Sequence, residues 1–395
     1  MKAFIIGCGG VALAAAKSLC AGGFFEEIMI AGRELNKCDA LKFLLEREGA
    51  KIKILTDMLD AEDSAETSRL MNDFSPDVAM NLATPRLNLK IMDACLETGA
   101  NYLDAACYRS DDAFEIDHGR QRAYMGRFIR EGITALTGCG VSPGITGVIA
   151  AYAQKNHFDK IHYIDVLYCK SADGGREGRF AADYNAEVFF SGLTGAGRYY
   201  EGGRRVETEP FEIIRDYYFE NAGRREIYLT SGEDADSLSQ NIQGVGRVRF
   251  FTALDREFIY KLRLLRDAGM TSVTPVEYEG RKIVPLRFLS RAIADKNLGS
   301  GDADDIASIY AGCVFRGIKN GEPKNYRANI ILTDYDAVRR AAGISAAAGA
   351  LLIACGAWKR PGVYNAEEFD PDPFMSALTE SGIYLYEDFS PELID

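Results

Sequence analysis

Apolar and polar segments alternate regularly over about the first 140 residues of the chain. Six short apolar runs have the length and composition of β-strands: KAFII, EIMIAG, KIKILTD, DVAMNLA, NYLDAA and ITALTG. Between them, apolar positions at helical spacing predict helices from about residue 11, from about residue 36, and over 62–74, 87–99 and 111–130. Strands that alternate with helices form a parallel sheet covered on both faces, so the pattern predicts an N-terminal α/β domain with the doubly wound Rossmann fold.

The pattern changes after about residue 160. Strand-like runs such as IHYIDVLYC, RREIYLT and RKIVPLRFL are now separated by glycine-rich turns, for example at 192–205. This spacing is typical of an antiparallel or mixed sheet and predicts a second, α+β domain. We therefore expect residues 1–143 to form the first domain, 144–345 the second, and 346–395 a C-terminal helix and tail packed on the first domain.

Residues 341–358 are apolar over a length that approaches that of a membrane-spanning helix. They are rich in alanine and glycine, and Arg340 and Lys359 flank them. Small residues of this kind suit close packing inside a globule. At the N-terminus, a glycine turn interrupts the apolar run before the apolar region of a signal peptide would be complete. We therefore expect neither membrane insertion nor secretion.

A glycine-rich turn, Gly7-Cys8-Gly9-Gly10-Val11-Ala12, joins the first strand to the first helix. Gly7 allows the sharp turn, and Gly9 lets the backbone approach a pyrophosphate, whose charge the N-terminus of a helix favours. Ala12 stands at the third glycine position of the G-x-G-x-x-G motif, where alanine is tolerated. In this context we expect the turn to bind a dinucleotide, although two glycines also suit an ordinary tight turn. The residues expected to contact the dinucleotide are Gly7, Gly9, Gly10 and Val11.

The residue that follows the second strand predicts which dinucleotide binds. An NAD-specific domain carries an acid there for the ribose hydroxyls, whereas this chain has Arg33. A guanidinium can pair with a 2′-phosphate through two charge-assisted hydrogen bonds, and Lys37 lies one turn further on. We therefore expect NADP(H) as the cofactor. Two alternatives stay open, because Glu34 can bind the ribose of NAD and Arg33 can be a solvated surface charge.

A second glycine-rich segment, 138-GCGVSPG-144, follows the sixth strand and repeats the composition of the first. Its Pro143 lacks the amide proton that a phosphate cradle would use. In an open α/β sheet, ligands bind beyond the carboxyl ends of the strands. We therefore expect this segment and the turn after the fourth strand to hold the nicotinamide end of the same cofactor. The residues expected to contact the nicotinamide end of the cofactor are Ala83, Thr84, Pro85, Gly138, Gly140 and Pro143.

Composition narrows the classes of function. The chain has 395 residues, with 58 acidic and 46 basic side chains and a formal net charge of −12. That balance argues against a nucleic-acid partner and is compatible with a cationic substrate. Nine scattered cysteines without CxxC spacing indicate reduced thiols in a cytoplasmic protein. Three histidines, none of them four residues from another, predict no histidine-built metal site.

Several longer runs resemble one enzyme family. They are 92-MDACLETGANYLD-104, 102-YLDAACY-108, 138-GCGVSPG-144, 269-GMTSVTPVEYEG-280 and 358-WKRPGVYNAEEFDPDPF-374. On these runs the chain resembles the saccharopine dehydrogenase-like reductases, and within them the carboxynorspermidine dehydrogenase group. The resemblance implies homodimeric, metal-free enzymes of polyamine biosynthesis with an NADP-binding first domain and a substrate-binding second domain. It also implies that they use NADPH to reduce the imine formed between L-aspartate β-semialdehyde and a diamine, either 1,3-diaminopropane or putrescine.

This implied chemistry suggests roles for three residues near the ends of the fifth and sixth strands. The cofactor carries the hydride, so protein groups place the substrates and move protons. Asp104 can take a proton or hold a cationic amine, or it can cap a turn. Tyr108 can act through its hydroxyl or simply pack. Cys139 can line the nicotinamide pocket or be a small buried thiol.

Six residues are candidates for substrate binding: His162, Asp173, Glu187, Arg198, Trp358 and Lys359. The two carboxylates, and also Asp165, suit a cationic amine, whereas the arginine and the lysine suit the α-carboxylate of the aldehyde. The histidine can shuttle a proton. The tryptophan can form a wall of the pocket or anchor the last helix. Each of these side chains also has an ordinary structural or surface role as its alternative.

Two other functions are considered. A saccharopine reductase or a homospermidine synthase would share the Rossmann domain, and a homospermidine synthase would favour NAD. A protein of another class, such as a sensor or a scaffold, would bind NADP without turnover. An assay with NADPH, the aldehyde and either diamine distinguishes these functions.

Overall fold

The structure is a computed structural model that describes residues 1–110, 117–172, 182, 186–298 and 306–395. In these residues, eighteen β-strands and thirteen α-helices are numbered along the chain. The strands are β1 (Lys2–Ile6), β2 (Glu27–Gly32), β3 (Lys53–Met58), β4 (Val78–Asn81), β5 (Asn101–Asp104), β6 (Thr134–Thr137), β7 (Lys160–Ala172), β8 (Gly197–Glu201), β9 (Arg204–Thr208), β10 (Ile214–Phe219), β11 (Gly223–Leu229), β12 (Arg247–Ala253), β13 (Val276–Tyr278), β14 (Arg281–Ile283), β15 (Ala307–Lys319), β16 (Glu322–Asp334), β17 (Gly362–Asn365) and β18 (Leu385–Asp388). The α-helices are α1 (Gly10–Ala21), α2 (Leu35–Arg47), α3 (Ser64–Phe74), α4 (Asn88–Thr98), α5 (His118–Arg122), α6 (Met125–Glu131), α7 (Ile145–His157), α8 (Ala186–Thr194), α9 (Glu233–Asn241), α10 (Arg256–Asp267), α11 (Pro285–Leu298), α12 (Ala337–Ala354) and α13 (Pro371–Glu380).

The described residues divide into two compact units. The first comprises residues 1–110, 117–152 and 339–384, and the second comprises 153–172, 182, 186–298, 306–338 and 385–395. The boundaries expected from the sequence, at 143/144 and 345/346, therefore differ from those of the compact units. The expected boundary at 345/346 falls inside α12.

The first unit contains a parallel sheet of seven strands in the order β17-β6-β5-β4-β1-β2-β3. All six strands predicted from the sequence are present, and their pairings with one another are parallel. Strands β4, β5 and β6 are buried along their whole length, as expected for a parallel sheet covered on both faces. The predicted Rossmann fold is confirmed.

The seventh strand, β17, was not predicted. It pairs in parallel with β6, from Gly362 opposite Thr134 to Asn365 opposite Thr137. More than 220 residues separate the two strands along the chain, so no local pattern connects them. This strand is the outermost strand of the sheet on the side of the sixth strand.

Helix α12 corresponds to the long apolar stretch and packs against the first unit through glycines. A Cβ atom added to Gly343 would lie 2.5 Å from the Cβ of Ala14 in α1, and one added to Gly349 would lie 2.7 Å from the Sγ of Cys139. The helix is long and apolar enough to cross a membrane by length and composition, but 72% of it is buried inside the structure. Its small residues thus serve close helix packing, as expected.

The second unit contains a mixed sheet in the order β10-β11-β12-β7-β15-β16-β18, to which β8 and β9 add at β12. Only the pairing of β7 with β12 is parallel among its described ladders. The predicted α+β domain with a mostly antiparallel or mixed sheet is therefore confirmed. Its longest ladder joins β15 and β16 over thirteen residue pairs. Strand β18, near the end of the chain, belongs to this sheet, whereas residues 346–384 belong to the first unit.

Two local predictions need correction. The segment RKIVPLRFL was expected to be a strand, but only Arg281–Ile283 is extended and α11 begins at Pro285. Proline favours the first position of a helix, which explains the change at this point. The helix expected over 111–130 is described only from residue 117, where it consists of the two short helices α5 and α6.

Candidate active site

The first glycine turn leaves the N-terminus of α1 open. Gly9 is the N-cap residue, no side chain caps the helix, and the amide of Leu13 makes the hydrogen bond to the carbonyl of Gly9 (3.0 Å). The earlier amides of the first turn have no acceptor within a helix. A Cβ added to Gly9 would meet nothing within 4 Å, so the space beside it is open. These features fit the pyrophosphate of a dinucleotide.

Gly7 brings this turn against the segment that follows β4. Its φ is +122°, and an added Cβ would lie 2.8 Å from the carbonyl carbon of Leu82 and 2.9 Å from the amide nitrogen of Ala83. Only glycine fits such a backbone. The predicted contacts Gly7 and Ala83 are therefore neighbours, and Gly10 and Val11 begin α1 directly beyond them.

The end of β2 presents the residues expected to select the cofactor. Arg33 is exposed, in the turn between Gly32 and the N-cap residue of α2, Glu34. The ammonium group of Lys37 lies 2.6 Å from a carboxylate oxygen of Glu34. One described partner of Glu34 is thus a lysine, while Arg33 is exposed directly after β2. This arrangement fits NADP(H).

Two buried asparagines that the sequence reasoning missed link the turns after β4 and β5. The amide nitrogen of Asn81 donates to the carbonyl of Thr84 (3.0 Å) and to the side-chain oxygen of Asn88 (2.6 Å). Asn88 in turn donates to the carbonyl of Ala106 (2.9 Å). The turn that contains Pro85 is therefore fixed relative to the end of β5. Asparagine at the end of a strand was the available signal for Asn81, but the link to the end of β5 depends on Asn88, whose partner Ala106 lies 18 residues further along the chain.

Asp104 is the last residue of β5, and its carboxylate is almost completely buried. One oxygen accepts hydrogen bonds from the hydroxyl of Tyr102 (2.9 Å) and the side-chain amide of Gln121 (2.7 Å). The other accepts from the backbone N–H of Gly138 (2.7 Å). Burial raises the pKa of Tyr102 well above its usual range, and the negative charge of Asp104 adds to this, so the phenol keeps the proton that it donates. Asp104 thus ties the end of β5 to the second glycine segment.

Tyr108 is half-buried, four residues beyond the end of β5. Its backbone N–H donates to the side-chain oxygen of Gln121 (2.7 Å), and the guanidinium of Arg120 lies 5.8 Å from the centre of its ring. Gln121 therefore contacts both Asp104 and the segment of Tyr108. The sequence offered no signal for this residue, because a glutamine in a polar helix is usually exposed.

The backbone amides of the second glycine segment donate hydrogen bonds to acceptors within the protein. The N–H groups of Gly138, Cys139 and Gly140 donate to the carboxylate of Asp104, to its carbonyl, and to the carbonyl of Pro143. An added Cβ at Gly140 would lie 2.4 Å from the carbonyl oxygen of Ala105. These three amides are therefore committed within the protein, and Pro143, which follows a cis peptide bond, has none.

Cys139 lies fully buried in this segment. Its sulfur lies 3.3 Å from the carbonyl oxygen of Ser345 in α12. Burial raises the pKa of the Cys139 thiol to about 12. At neutral pH the side chain is therefore a neutral thiol between the segment and α12, which fits the packing alternative better than a nucleophile.

The two substrate-binding candidates near the C-terminus, Trp358 and Lys359, differ in solvent exposure. Trp358 is buried between Phe369 and Phe374, with ring centres 5.0 and 5.2 Å away, and its indole N–H donates to the carbonyl of Asp370 (2.9 Å). These contacts fit an anchor for the residues around α13. Lys359, the next residue, is exposed.

The remaining candidates belong to the second unit. His162 is half-buried in β7, and Glu187, in the first turn of α8, has an oxygen 3.9 Å from the Nε atom of Arg287. Arg198 in β8 has its Nε atom 3.4 Å from a carboxylate oxygen of Glu207. Asp173 lies outside the described residues. The functional roles assigned to these side chains stay predictions.

Asp165, the further carboxylate considered for the amine, is engaged in a buried ion pair. Its two oxygens accept hydrogen bonds from Nε and Nη2 of Arg249 at 2.6 and 2.9 Å. Arg249 also donates to the carbonyl of Ile394 (2.7 Å). Breaking a buried pair of this geometry would leave an uncompensated charge, so a structural role explains Asp165 better than amine binding.

A parallel Rossmann sheet, an uncapped helix after its first strand and a cationic residue after its second define an NADP-dependent oxidoreductase. Comparison with known families agrees. The profile described as "Saccharopine dehydrogenase NADP binding domain" matches residues 3–136, and that described as "Saccharopine dehydrogenase C-terminal domain" matches residues 140–383. The chain belongs to the saccharopine dehydrogenase family.

Individual relatives cover nearly the full chain. A carboxyaminopropylagmatine dehydrogenase of Synechocystis sp. is 37% identical over 98% of this chain and 97% of its own length. A carboxynorspermidine synthase of Vibrio cholerae is 27% identical over 97% of this chain and 96% of its own. Among solved structures, apo saccharopine dehydrogenase (L-Glu forming) of Saccharomyces cerevisiae superimposes with a TM-score of 0.76, at 15% identity, over 98% of this chain and 99% of its own. This structural similarity supports the assignment of the fold.

Proposed function

We propose that the chain catalyses the NADPH-dependent reductive condensation of L-aspartate β-semialdehyde with a small cationic amine, in polyamine biosynthesis. The observation that carries the proposal is similarity over nearly the whole length to relatives named for carboxylated amine products, together with the NADP-binding first domain. In this reaction the amine and the aldehyde lose water to form an imine. Bound NADPH would supply the hydride that reduces the imine carbon, acting on a C–N bond.

The reaction requires a neutral amine nitrogen, although a free aliphatic amine has a pKa near that of lysine, about 10.4. In the proposal, Asp104 accepts this proton or holds the cationic amine, and the hydroxyl of Tyr108 is the second candidate for proton transfer. What supports Asp104 is its position at the carboxyl end of β5, where ligands of an open α/β sheet bind. Cys139 would stay a neutral thiol packed against α12 and take no part in proton transfer.

Two kinds of amine are proposed as substrates. 1,3-Diaminopropane and putrescine follow from the sequence resemblance, and the Vibrio relative is named for carboxynorspermidine. Agmatine is a second candidate, because the relative named for a carboxyaminopropyl derivative of agmatine has the higher identity of the two, 37% against 27%. The two kinds differ at the distal end, which is an ammonium in the diamines and a guanidinium in agmatine.

The test supplies the purified chain with NADPH, L-aspartate β-semialdehyde and each of the three amines in turn. Loss of nicotinamide absorbance and a product mass equal to the two substrates minus water plus two hydrogens are expected with at least one amine. Omission of the aldehyde is the control and should stop NADPH oxidation. If NADPH is not oxidised with any amine, the proposal fails. Turnover with the substrates of saccharopine reductase or homospermidine synthase, or NADPH binding without turnover, would then support the alternatives.

The preference for NADPH is tested at Arg33. Because a hydrogen bond to a charged group contributes about 1.5 to 3 kcal/mol, we expect Arg33→Ala to weaken NADPH use by roughly 10- to 100-fold and NADH use little. Initial rates with each cofactor measure the ratio. The control is Arg47→Ala, at the other end of α2. Equal losses with both cofactors at Arg33→Ala would remove the assignment to the 2′-phosphate.

The assembly and the location of the protein are also proposals. A homodimer is expected from the resemblance, and the cytoplasm is expected from the scattered cysteines. Sedimentation velocity of the purified chain would give the mass of the assembly, and a monomer at assay concentration would contradict the dimer.

A further inference from the structure

We propose that Gln121 is a positioning residue of the candidate active site, because its side chain sets Asp104 relative to the segment that carries Tyr108. The inference rests on the proposed function, since it concerns the edge of the sheet where the nicotinamide and the imine are proposed to meet. Gln121 itself is not proposed to touch the substrate.

The two ends of the Gln121 amide make different contacts. Its nitrogen donates to one carboxylate oxygen of Asp104 (2.7 Å), and its oxygen accepts from the backbone N–H of Tyr108 (2.7 Å). The side chain is 1% exposed. A primary amide can satisfy both partners at once, since it combines a donor and an acceptor at its end. These contacts define the orientation of the amide.

The contacts of Gln121 continue into the second glycine segment. The same carboxylate that receives its N–H accepts, on its other oxygen, the N–H of Gly138 (2.7 Å). Asp104 therefore lies between Gln121 and Gly138 in one line of hydrogen bonds. Without Gln121, the carboxylate could rotate about its remaining donors, and the chain at Tyr108 would lose its link to it.

The helix that carries Gln121 is itself held firmly. The next residue, Arg122, donates to the carbonyl of Val363 (2.6 Å) and to the side-chain oxygen of Asn365 (3.1 Å), and it pairs with Glu368. Strand β17 thus anchors α5 to the sheet. A positioning group is effective when it stands on such a rigid element, because small displacements of reacting groups lower rates strongly.

The substitution Gln121→Glu tests the proposal through pH. A protonated glutamic acid has the shape of glutamine and can still donate to Asp104 and accept from Tyr108. An ionised one would place a second carboxylate against Asp104, and two such charges repel at this distance. We therefore expect turnover within about twofold of the natural chain at the acidic end of the assay range. As pH rises, the introduced carboxyl group loses its proton. We then expect kcat to fall about 10- to 100-fold further than in the natural chain.

The matched control is Gln154→Glu. The oxygen of Gln154 accepts from the backbone N–H of Gln243 (3.0 Å), a contact that a carboxylate keeps. This variant makes the same chemical change in the second unit, so its pH profile should parallel that of the natural chain. A Gln121→Glu profile that also runs parallel would overturn the proposal.

A second variant covers the case in which Gln121→Glu does not fold. Gln121→Met has a similar length and makes neither hydrogen bond. We expect it to lower kcat about 10- to 100-fold at every pH while the Kd for NADPH stays within about threefold. Unchanged kcat in a folded Gln121→Met protein would contradict the proposal.

A readout without turnover separates this inference from the proposed function. The emission of bound NADPH reports on the surroundings of the nicotinamide. In Gln121→Glu it should change with pH, whereas in Gln154→Glu it should not. If the natural chain oxidises no NADPH with any amine but this difference is seen, the inference stands and the proposed substrates are wrong. If the two variants show the same emission at every pH, the inference is overturned.

Discussion

The two glycine segments of the first unit look alike in sequence but use their glycines differently. Both follow a parallel strand and precede a helix, at residues 7–10 and 138–144. In the first, the space beside Gly9 is open and α1 begins without a side-chain cap. In the second, an added Cβ on Gly140 or Gly144 would collide with backbone oxygens at 2.4 and 2.2 Å.

The difference concerns what comes close to the backbone. At Gly9 the open space allows a ligand to approach, whereas at Gly140 and Gly144 the chain approaches itself. The N–H groups differ in part. In the first segment that of Gly7 donates to the carbonyl of Ala31 (2.8 Å), whereas in the second those of Gly138, Cys139 and Gly140 all donate within the protein. Glycine content alone therefore does not identify a phosphate-binding turn. The hydrogen bonds of its amides do.

The largest expected effect is on stability, at Gly144. Its φ is +124°, and a Cβ would lie 2.2 Å from the carbonyl oxygen of Gly140. Because strain and overpacking act together, we expect Gly144→Ala to lower the free energy of unfolding by about 3 kcal/mol or more, measured by urea or thermal unfolding. Gly126→Ala in α6 is the control, since a Cβ there meets nothing within 4 Å. Equal stability of the two variants would mean that the second segment is not tightly folded.

The next effect is on binding, at Gly9. This residue has a φ of −92° and open space around it, so Gly9→Ala should fold with nearly unchanged stability. A methyl group there would keep the backbone from a pyrophosphate, and we expect NADPH binding to weaken about tenfold or more, or about 1.4 kcal/mol. Titration of NADPH fluorescence measures the Kd. Unchanged affinity would break the contrast between the two segments.

The smallest effect concerns the cysteines of the two segments. Cys8 is half-exposed, whereas Cys139 is buried. Burial raises the pKa of the Cys139 thiol to about 12. Iodoacetamide reacts with thiolates, so at neutral pH it should modify Cys8 at least about tenfold faster than Cys139. The thiolate fraction of Cys139 grows about tenfold per pH unit up to its pKa, so its labelling should rise as pH increases.

Peptide mass mapping gives both labelling rates. Added NADPH should slow the labelling of Cys8 and leave that of the exposed Cys355 unchanged. Fast labelling of Cys139 in the folded protein at neutral pH would contradict its burial between the segment and α12.

Much of the first unit could be predicted because its signals are local. The six strands, the glycine turn before α1 and Arg33 after β2 each depend on a few neighbouring residues. The contacts around Asp104 could not be predicted in this way. They join Tyr102, Gln121 and Gly138, which come from three elements, and a glutamine in a short polar helix carries no pattern that reveals a buried partner.

The second unit was predicted less well for a similar reason. Two of its three longest strands, β15 and β16, were missed although they form a continuous ladder. The segment RKIVPLRFL has strand-like composition, but a proline begins α11 within it. The buried pair of Asp165 and Arg249 lies on neighbouring strands of the sheet, 84 residues apart. In a mixed sheet, pairing between distant segments determines the environment of each side chain.

The sequence by itself determined the Rossmann fold, the glycine turn before α1, the cationic residue after β2 and the resemblance to one family, because periodicity, turn residues and motifs act over short distances along the chain. The tertiary structure decided which amides of a glycine segment are available, that β17 completes the sheet and that Gln121 meets Asp104. Each of these depends on atoms that folding brings together from far apart in the chain. Such contacts have no signature in any one segment of the sequence.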